Sequence, residues 1–322
     1  MTAYVLEVKN LKTYYYTYKG IVKAVDNVSF TLEKGESMGI AGESGCGKST
    51  LAYSLLKLVP PPGRIVGGKI VIDGIDVTNM SEDEVRRRVR WKKISMIFQG
   101  AMNALNPVYT VGYQLAEPLI YHKGMTRREA IEIAKEYLKL VGLHPDLVNR
   151  YPHELSGGMK QRVVIAMALL LNPSIVIADE PTTALDVVVQ AQVLNVIKDL
   201  QRKLRISVIL ITHDLSIISE IADKVAIMYA GKIVEIGPLD RVYTNPLHPY
   251  TQGLLRSIPR LRGGPEKLEW IPGIPPDLIS PPPGCRFHPR CKYAMDICRK
   301  EEPQMIEIEP NHYAACWLYL KK

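Results

Sequence analysis

The chain has 322 residues, enough for one substantial core with a smaller unit appended. A composition of 47% hydrophobic and 23% charged residues is that of a globular protein and excludes a disordered chain. No run of 18 apolar residues occurs, and the longest candidate, 163–171, stops at Asn172-Pro173, so a membrane span is not expected. The net charge of +8 is densest at Arg86, Arg87, Arg88, Arg90, Lys92 and Lys93. Glu82, Asp83 and Glu84 lie beside that run, which favours a solvated helix face over a nucleic-acid or anionic-membrane patch.

The start, MTAYVLEVKN, has no basic region followed by an apolar run, so no secretory signal is expected and the chain reads as cytosolic. Residues 5–8 alternate as a strand. Residues 38–41 are a short apolar run ending in a glycine-rich turn, and 50–58 follow with helical spacing, so the order is strand, glycine loop, helix. Gly67-Gly68 reads as a turn that opens a strand over 69–72. Helical periodicity dominates from 110 to 143, notably over 127–141. Then come a buried strand at 174–178, a helix at 190–204 and another buried strand at 207–211. This alternation predicts an α/β fold with a largely parallel sheet, into which the helical stretch near 100–172 is inserted. After Pro246 the texture changes: His248-Pro249, Pro259, Gly263-Gly264-Pro265 and Pro281-Pro282-Pro283-Gly284 work against long helices and central strands. A boundary near 240–250 divides the chain into domains 1–245 and 246–322.

Gly42-Glu43-Ser44-Gly45-Cys46-Gly47-Lys48-Ser49 fits G-x-x-x-x-G-K-[S/T] between a predicted strand and a predicted helix. Glycines at this spacing let backbone N–H groups curl around phosphates, and the following helix directs its N-terminal dipole at them. Lys48 is expected to reach the β- and γ-phosphates and the Ser49 hydroxyl to bind Mg²⁺; Gly42, Ser44, Gly45, Cys46, Gly47 and Thr50 complete the ATP-binding set here. Cys46 contributes only its backbone N–H, although its oxidation would block ATP. At the end of the buried run 175–178, Asp179 is placed to hold Mg²⁺ through water and Glu180 to polarise the attacking water as general base. A lone Asp-Glu pair after a strand is ordinarily a turn or helix cap; the phosphate loop shifts the balance. Leu155-Ser156-Gly157-Gly158-Met159-Lys160-Gln161-Arg162 then precedes a helix, and its N-terminus forms a second anion site.

With Ala184-Leu185-Asp186 after the acidic pair and His213 after the next strand, the chain resembles the nucleotide-binding subunits of ABC transporters over about residues 4–245. The resemblance implies that Gln99 is the glutamine that contacts Mg²⁺ or water beside the membrane subunit, and that His213 contacts the γ-phosphate. It makes Tyr15 the aromatic that stacks on adenine, with Tyr14 or Tyr16 as alternatives in the same run. Two such domains associate head to tail, so Ser156, Gly157, Gly158 and Asp186 would contact ATP held by a partner. Met159 stands where many members have glutamine, a departure usual in the peptide-importer branch.

Ala178-Asp179-Glu180-Pro181-Thr182-Thr183-Ala184-Leu185-Asp186-Val187-Val188-Val189-Gln190, Leu105-Asn106-Pro107-Val108 and Asn245-Pro246-Leu247-His248-Pro249-Tyr250-Thr251 are similar to the dipeptide/oligopeptide importer ATPases, as is the tail from Pro272 to Cys291. Of five cysteines, Cys285, Cys291, Cys298 and Cys316 fall within 32 residues, spaced C-x5-C-x6-C-x17-C. Thiolates suit Fe–S clusters or Zn²⁺, although neither a zinc-ribbon nor a ferredoxin spacing is matched and small buried thiols also simply pack. The resemblance implies a [4Fe-4S] cluster, ranked above zinc, in a structural or regulatory role. It further implies a second, non-identical ATPase subunit, two permeases, an extracellular solute-binding protein and a peripheral place on the cytoplasmic face of the membrane, with no nucleic acid. Peptide is the expected cargo, with oligosaccharides or nickel as alternatives. The competing readings are a soluble ABC ATPase acting on nucleic acid or ribosomes, disfavoured by the short insertion before Ser156, and an Fe–S redox sensor.

Overall fold

The computed structural model describes residues 4–100, 103–183, 185–257 and 270–320. In chain order, β1 (Tyr4–Thr17), β2 (Gly20–Glu33) and β3 (Ser37–Ala41) lead into α1 (Lys48–Leu55). Strands β4 (Gly63–Ile72) and β5 (Ile75–Asp76), helix α2 (Glu82–Arg88) and strand β6 (Ile94–Ile97) follow. Next come helices α3 (Val111–Lys123), α4 (Arg127–Leu140) and α5 (Gly157–Leu169), then β7 (Ile175–Asp179), α6 (Val187–Leu204), β8 (Ser207–Thr212) and α7 (Leu215–Ile221). The chain closes with β9 (Lys224–Tyr229), β10 (Lys232–Pro238), α8 (Leu239–Thr244), α9 (Pro249–Arg256), α10 (Asp296–Lys300), β11 (Ile306–Glu309) and β12 (His312–Ala314). No helix among the described residues is long and apolar enough to cross a membrane.

The chain divides into two compact units. The first comprises 1–7, 31–37 and 71–210; the second comprises 8–30, 38–70 and 211–322. In the first unit β6 and β7 pair in parallel, Ile94 opposite Ile175 and Ile97 opposite Ala178. All four β6 residues and all five β7 residues are buried, as expected of strands covered on both faces. The helices α3, α4 and α5 pack on one another where the insertion was expected. Local chemistry sets their starts. Thr126 and Glu129 form a reciprocal capping box on α4, and Ser81 and Glu84 form one on α2, each cap of a kind that adds about 1 kcal/mol. The basic run lies on and just after α2, where Asp83 pairs with Arg86 at 2.7 Å and Arg87 at 3.0 Å, and Lys93 pairs with Asp73 at 2.5 Å. That is the solvated, ion-paired face expected.

In the second unit the strand order is β11-β12-β10-β9-β3. The pair β3–β9 is parallel, Met38 opposite Lys224, whereas β9–β10, β10–β12 and β12–β11 are antiparallel. The expectation of parallel pairing therefore holds for β3–β9 and β6–β7, and an antiparallel edge is added to it. Two further details differ from expectation. Gly67-Gly68 is not a turn but lies inside β4: Gly68 has φ +95°, and a Cβ on it would stand 2.5 Å from Leu11 Cα, so glycine serves a close backbone approach. Helix α6 begins three residues earlier than its apolar spacing indicates, because Val187 (82% exposed) and Val188 (68% exposed) face solvent.

Candidate nucleotide site

Strand β3 is buried at all five positions and ends at Ala41, where the backbone turns through Gly42 (φ +154°), Gly45 (φ +77°) and Gly47 (φ +107°). A Cβ on Gly42 would stand 2.1 Å from the Met228 carbonyl oxygen, and one on Gly47 would stand 1.9 Å from that of Ala24. Only glycine fits either place. Helix α1 starts at once, with no side-chain cap and no acidic residue in its first turn. Its N-terminus therefore keeps the donor character and positive dipole end that suit an anion. Lys48 is 7% exposed and folded back over the loop, its Nζ donating to the carbonyls of Gly42 at 2.6 Å and Glu43 at 3.0 Å. Ser44 and Gly45 are exposed, and Ser49 and Thr50 half-buried. Cys46 is buried, and burial pushes its thiol up with Lys48 opposing.

The three adjacent tyrosines separate in the structure. Tyr14 donates to Asp26 at 2.7 Å, and Tyr16 is exposed with Arg64 over its ring at 5.3 Å. Tyr15 is the one beside α1, its hydroxyl 3.3 Å from Thr50 Oγ1. His213 is exposed in the turn after β8, where Asp214 accepts from the Ser216 N–H at 2.8 Å and so starts α7.

In the first unit Asp179 is fully buried at the end of β7. Glu180 follows with φ +46°, a left-handed backbone that is costly for a residue with a Cβ and that clusters at functional sites. Its carboxylate oxygen Oε2 accepts from Gln99 Nε2 at 2.7 Å and from the Thr183 hydroxyl at 3.0 Å. Sequence reasoning named Gln99 and Glu180 separately; the structure joins them.

Ser156 is the N-cap of α5, accepting from the Met159 N–H at 3.3 Å, so Gly157 and Gly158 form the helix's first turn. Asp186 is the N-cap of α6, accepting from the Val189 N–H at 2.9 Å. A Cβ on Gly158 would stand 2.5 Å from Val189 Cγ1. Val189 thus links the loop at Asp186 to the loop at Ser156, a connection that sequence reasoning missed. Ala184 lies outside the described residues.

The late cysteines are unpaired by disulfide; Cys298 and Cys316 are each 8% exposed, Cys285 and Cys291 half-buried. Burial pushes Cys285 up to about 11 and Cys316 up to about 12, with the other late cysteines adding to the effect. The Cys285 N–H donates to the Cys298 carbonyl at 2.8 Å. Among the described residues, however, no three His, Cys, Asp or Glu side chains are grouped to hold a metal ion. The zinc alternative finds no ready-made ligand group among them. The [4Fe-4S] expectation likewise finds no ready-made ligand group.

Comparison with known proteins supplies the context. The family model described as ABC transporter matches residues 25–183, and that described as Oligopeptide/dipeptide transporter, C-terminal region matches residues 234–298. The chain is 50% identical to the oligopeptide transport ATP-binding protein OppD of Bacillus subtilis, over 97% of this chain and 88% of that protein. It is also 50% identical to the dipeptide transport ATP-binding protein DppD of the same organism, over 98% and 94%. Among solved structures, the dimeric ATP-binding cassette MJ0796 in a post-hydrolysis state with ADP and Pi is similar at a TM-score of 0.65 and 31% identity. That match covers 73% of this chain and 98% of the cassette.

Proposed function

The chain belongs to the ABC transporter family, among the ATP-binding proteins that carry the oligopeptide/dipeptide C-terminal region, and from that membership we propose that it hydrolyses ATP at the loop 42–49 to power import of peptides. The observation that carries the reading is the glycine loop opening directly into a helix that neither side-chain cap nor acid blocks. In this reading Lys48 leaves the Gly42 and Glu43 carbonyls for the β- and γ-phosphates, while the loop's N–H groups and Thr50 hold the rest of the chain of phosphates. Tyr15 stacks on adenine. Glu180, oriented by Gln99 and Thr183, polarises the attacking water, and His213 contacts the γ-phosphate. Ser49, Gln99 and Asp179 offer the hard oxygen donors that suit Mg²⁺, which when bound offsets charge on the phosphates.

Ser156, Gly157, Gly158 and Asp186 are assigned to the ATP of a second subunit, a reading supported by the dimeric state of the similar cassette. That subunit is proposed to be a non-identical ATPase. Two permeases are driven by the closing and reopening of the pair at the cytoplasmic face, and an extracellular solute-binding protein delivers peptide. The four late cysteines are proposed to hold a [4Fe-4S] cluster in a structural role; their crowding into 32 residues of the chain is what supports this, and anaerobic analysis for about four irons and four sulfides per chain checks it. Zinc or no metal would sink the cluster and leave the motor standing. For the motor, the test is uptake of labelled peptide into vesicles bearing the reconstituted complex. ATP-dependent uptake is expected, and ATP hydrolysis without peptide accumulation would refute the cargo.

A further inference from the structure

Arg290 stands next to Cys291 in the tail, yet its guanidinium reaches the loop that opens the nucleotide site. It donates to both carboxylate oxygens of Glu43, at 2.6 and 2.9 Å, and lies over the Tyr229 ring at 5.8 Å. The Arg290 side chain is 5% exposed and that of Glu43 is 27% exposed. The Glu43 N–H donates to the Tyr250 hydroxyl at 2.9 Å, and its carbonyl accepts from Lys48 Nζ at 3.0 Å. Tyr250 is itself fixed by rings, 4.6 Å from Tyr229 and 5.3 Å from Phe287. Glu43 is therefore the point at which the tail and the phosphate loop's lysine meet.

A carboxylate inside a loop that gathers a polyanion works against the ligand unless its charge is met. A planar guanidinium forked onto both oxygens meets it and fixes its direction, which a single flexible ammonium would not do. We propose that Arg290 is a positioning residue for ATP: it neutralises and anchors Glu43, so that the tail sets the affinity of the phosphate loop. The inference rests on the reading of 42–49 as the ATP site.

The test is the ATP dissociation constant of the full-length chain, measured by titration with a fluorescent ATP, with thermal melting to confirm that each variant is folded. Arg290→Ala is expected to weaken ATP by roughly tenfold, the scale of one unit charge acting at about 10 Å through an effective dielectric of about 20. Glu43→Gln added to Arg290→Ala should return the constant to the wild-type value, and Glu43→Gln alone should tighten binding. An Arg290 that merely staples the fold would give a double variant as weak as the single one, and that result overturns the inference. Should Arg290→Ala not fold, Glu43→Gln decides alone: tighter binding supports the inference, unchanged or weaker binding overturns it. Lys48→Ala separates the two levels. If it loses ATP while Arg290→Ala keeps the wild-type constant, only the role of Arg290 fails; if it binds like wild type, the nucleotide reading fails and this inference with it.

Discussion

His248 and Glu235 show how much one buried pair of residues organises. Glu235 is fully buried and accepts from the N–H groups of Leu247 and His248, at 2.9 and 2.8 Å, and from His312 Nε2 at 2.8 Å. His248 accepts the Tyr250 N–H on Nδ1 at 3.1 Å and so starts α9, a role that only the neutral ring can fill. Burial lowers His248 to about 4, against the opposing pull of Glu235. The unfolded chain therefore takes up a proton between about pH 6.5 and pH 4 that the native state refuses. Stability is full above that window and falls as pH drops through it, by about 3 kcal/mol from this group. Urea midpoints at pH 7 and pH 4.5 check this: His248→Gln should flatten the decline, and an equal decline in both proteins would assign it to other groups. None of this was legible in the sequence, where His248 reads as proline-rich punctuation and as part of a segment similar to the importer ATPases, with no signal of burial. The loop 42–49 was legible because its signal is local, with strand, glycines, lysine and helix in one short run. Glu43 and Arg290 lie 247 positions apart, and no local pattern links them.

At the scale of elements, α5 and α6 meet where Gly158 faces Val189. Gly158→Ala should strengthen the helix by about 1 kcal/mol through propensity but force Val189, stiff at its branched Cβ, by more than that. The expected net effect is a loss of about 1 kcal/mol, recovered when Val189→Ala is added; a double variant no more stable than Gly158→Ala would show that the contact does not set the packing. Because Asp186 caps the same helix through the Val189 N–H, the variant should also disturb the two loops assigned to the partner's ATP. The start of α5 was readable in advance, because Ser156 directly precedes the helical run and its hydroxyl can accept the N–H three residues on. The start of α6 was not, because exposed valines hide the helical period. Nor was the strand pair β11–β12: three or four residues carry too little alternation to stand out from proline-rich surroundings.

For the whole molecule, the compact units are assembled from interleaved segments, and the C-terminal residues share a unit with the phosphate loop. A chain ending at Asn245 loses β12, opposite Glu235 and Ile236, and every hydrogen-bond donor described for the buried Glu235 carboxylate. Leaving a buried charge uncompensated costs several kcal/mol, a large share of a typical domain's stability. Such a chain is expected to be insoluble or partly unfolded by circular dichroism; a soluble, cooperatively melting 1–245 would instead support an independent domain ending there. In the proposed site Glu180 is assigned the activation of the attacking water. The most direct measurement is steady-state phosphate release from ATP by the assembled transporter, wild type against Glu180→Gln, at saturating ATP and with nucleotide binding measured in parallel. The account predicts that release falls by a factor of about 10² to 10⁴ while ATP is still bound. Undiminished release by Glu180→Gln would contradict the assignment of the general base and the chemistry built on it.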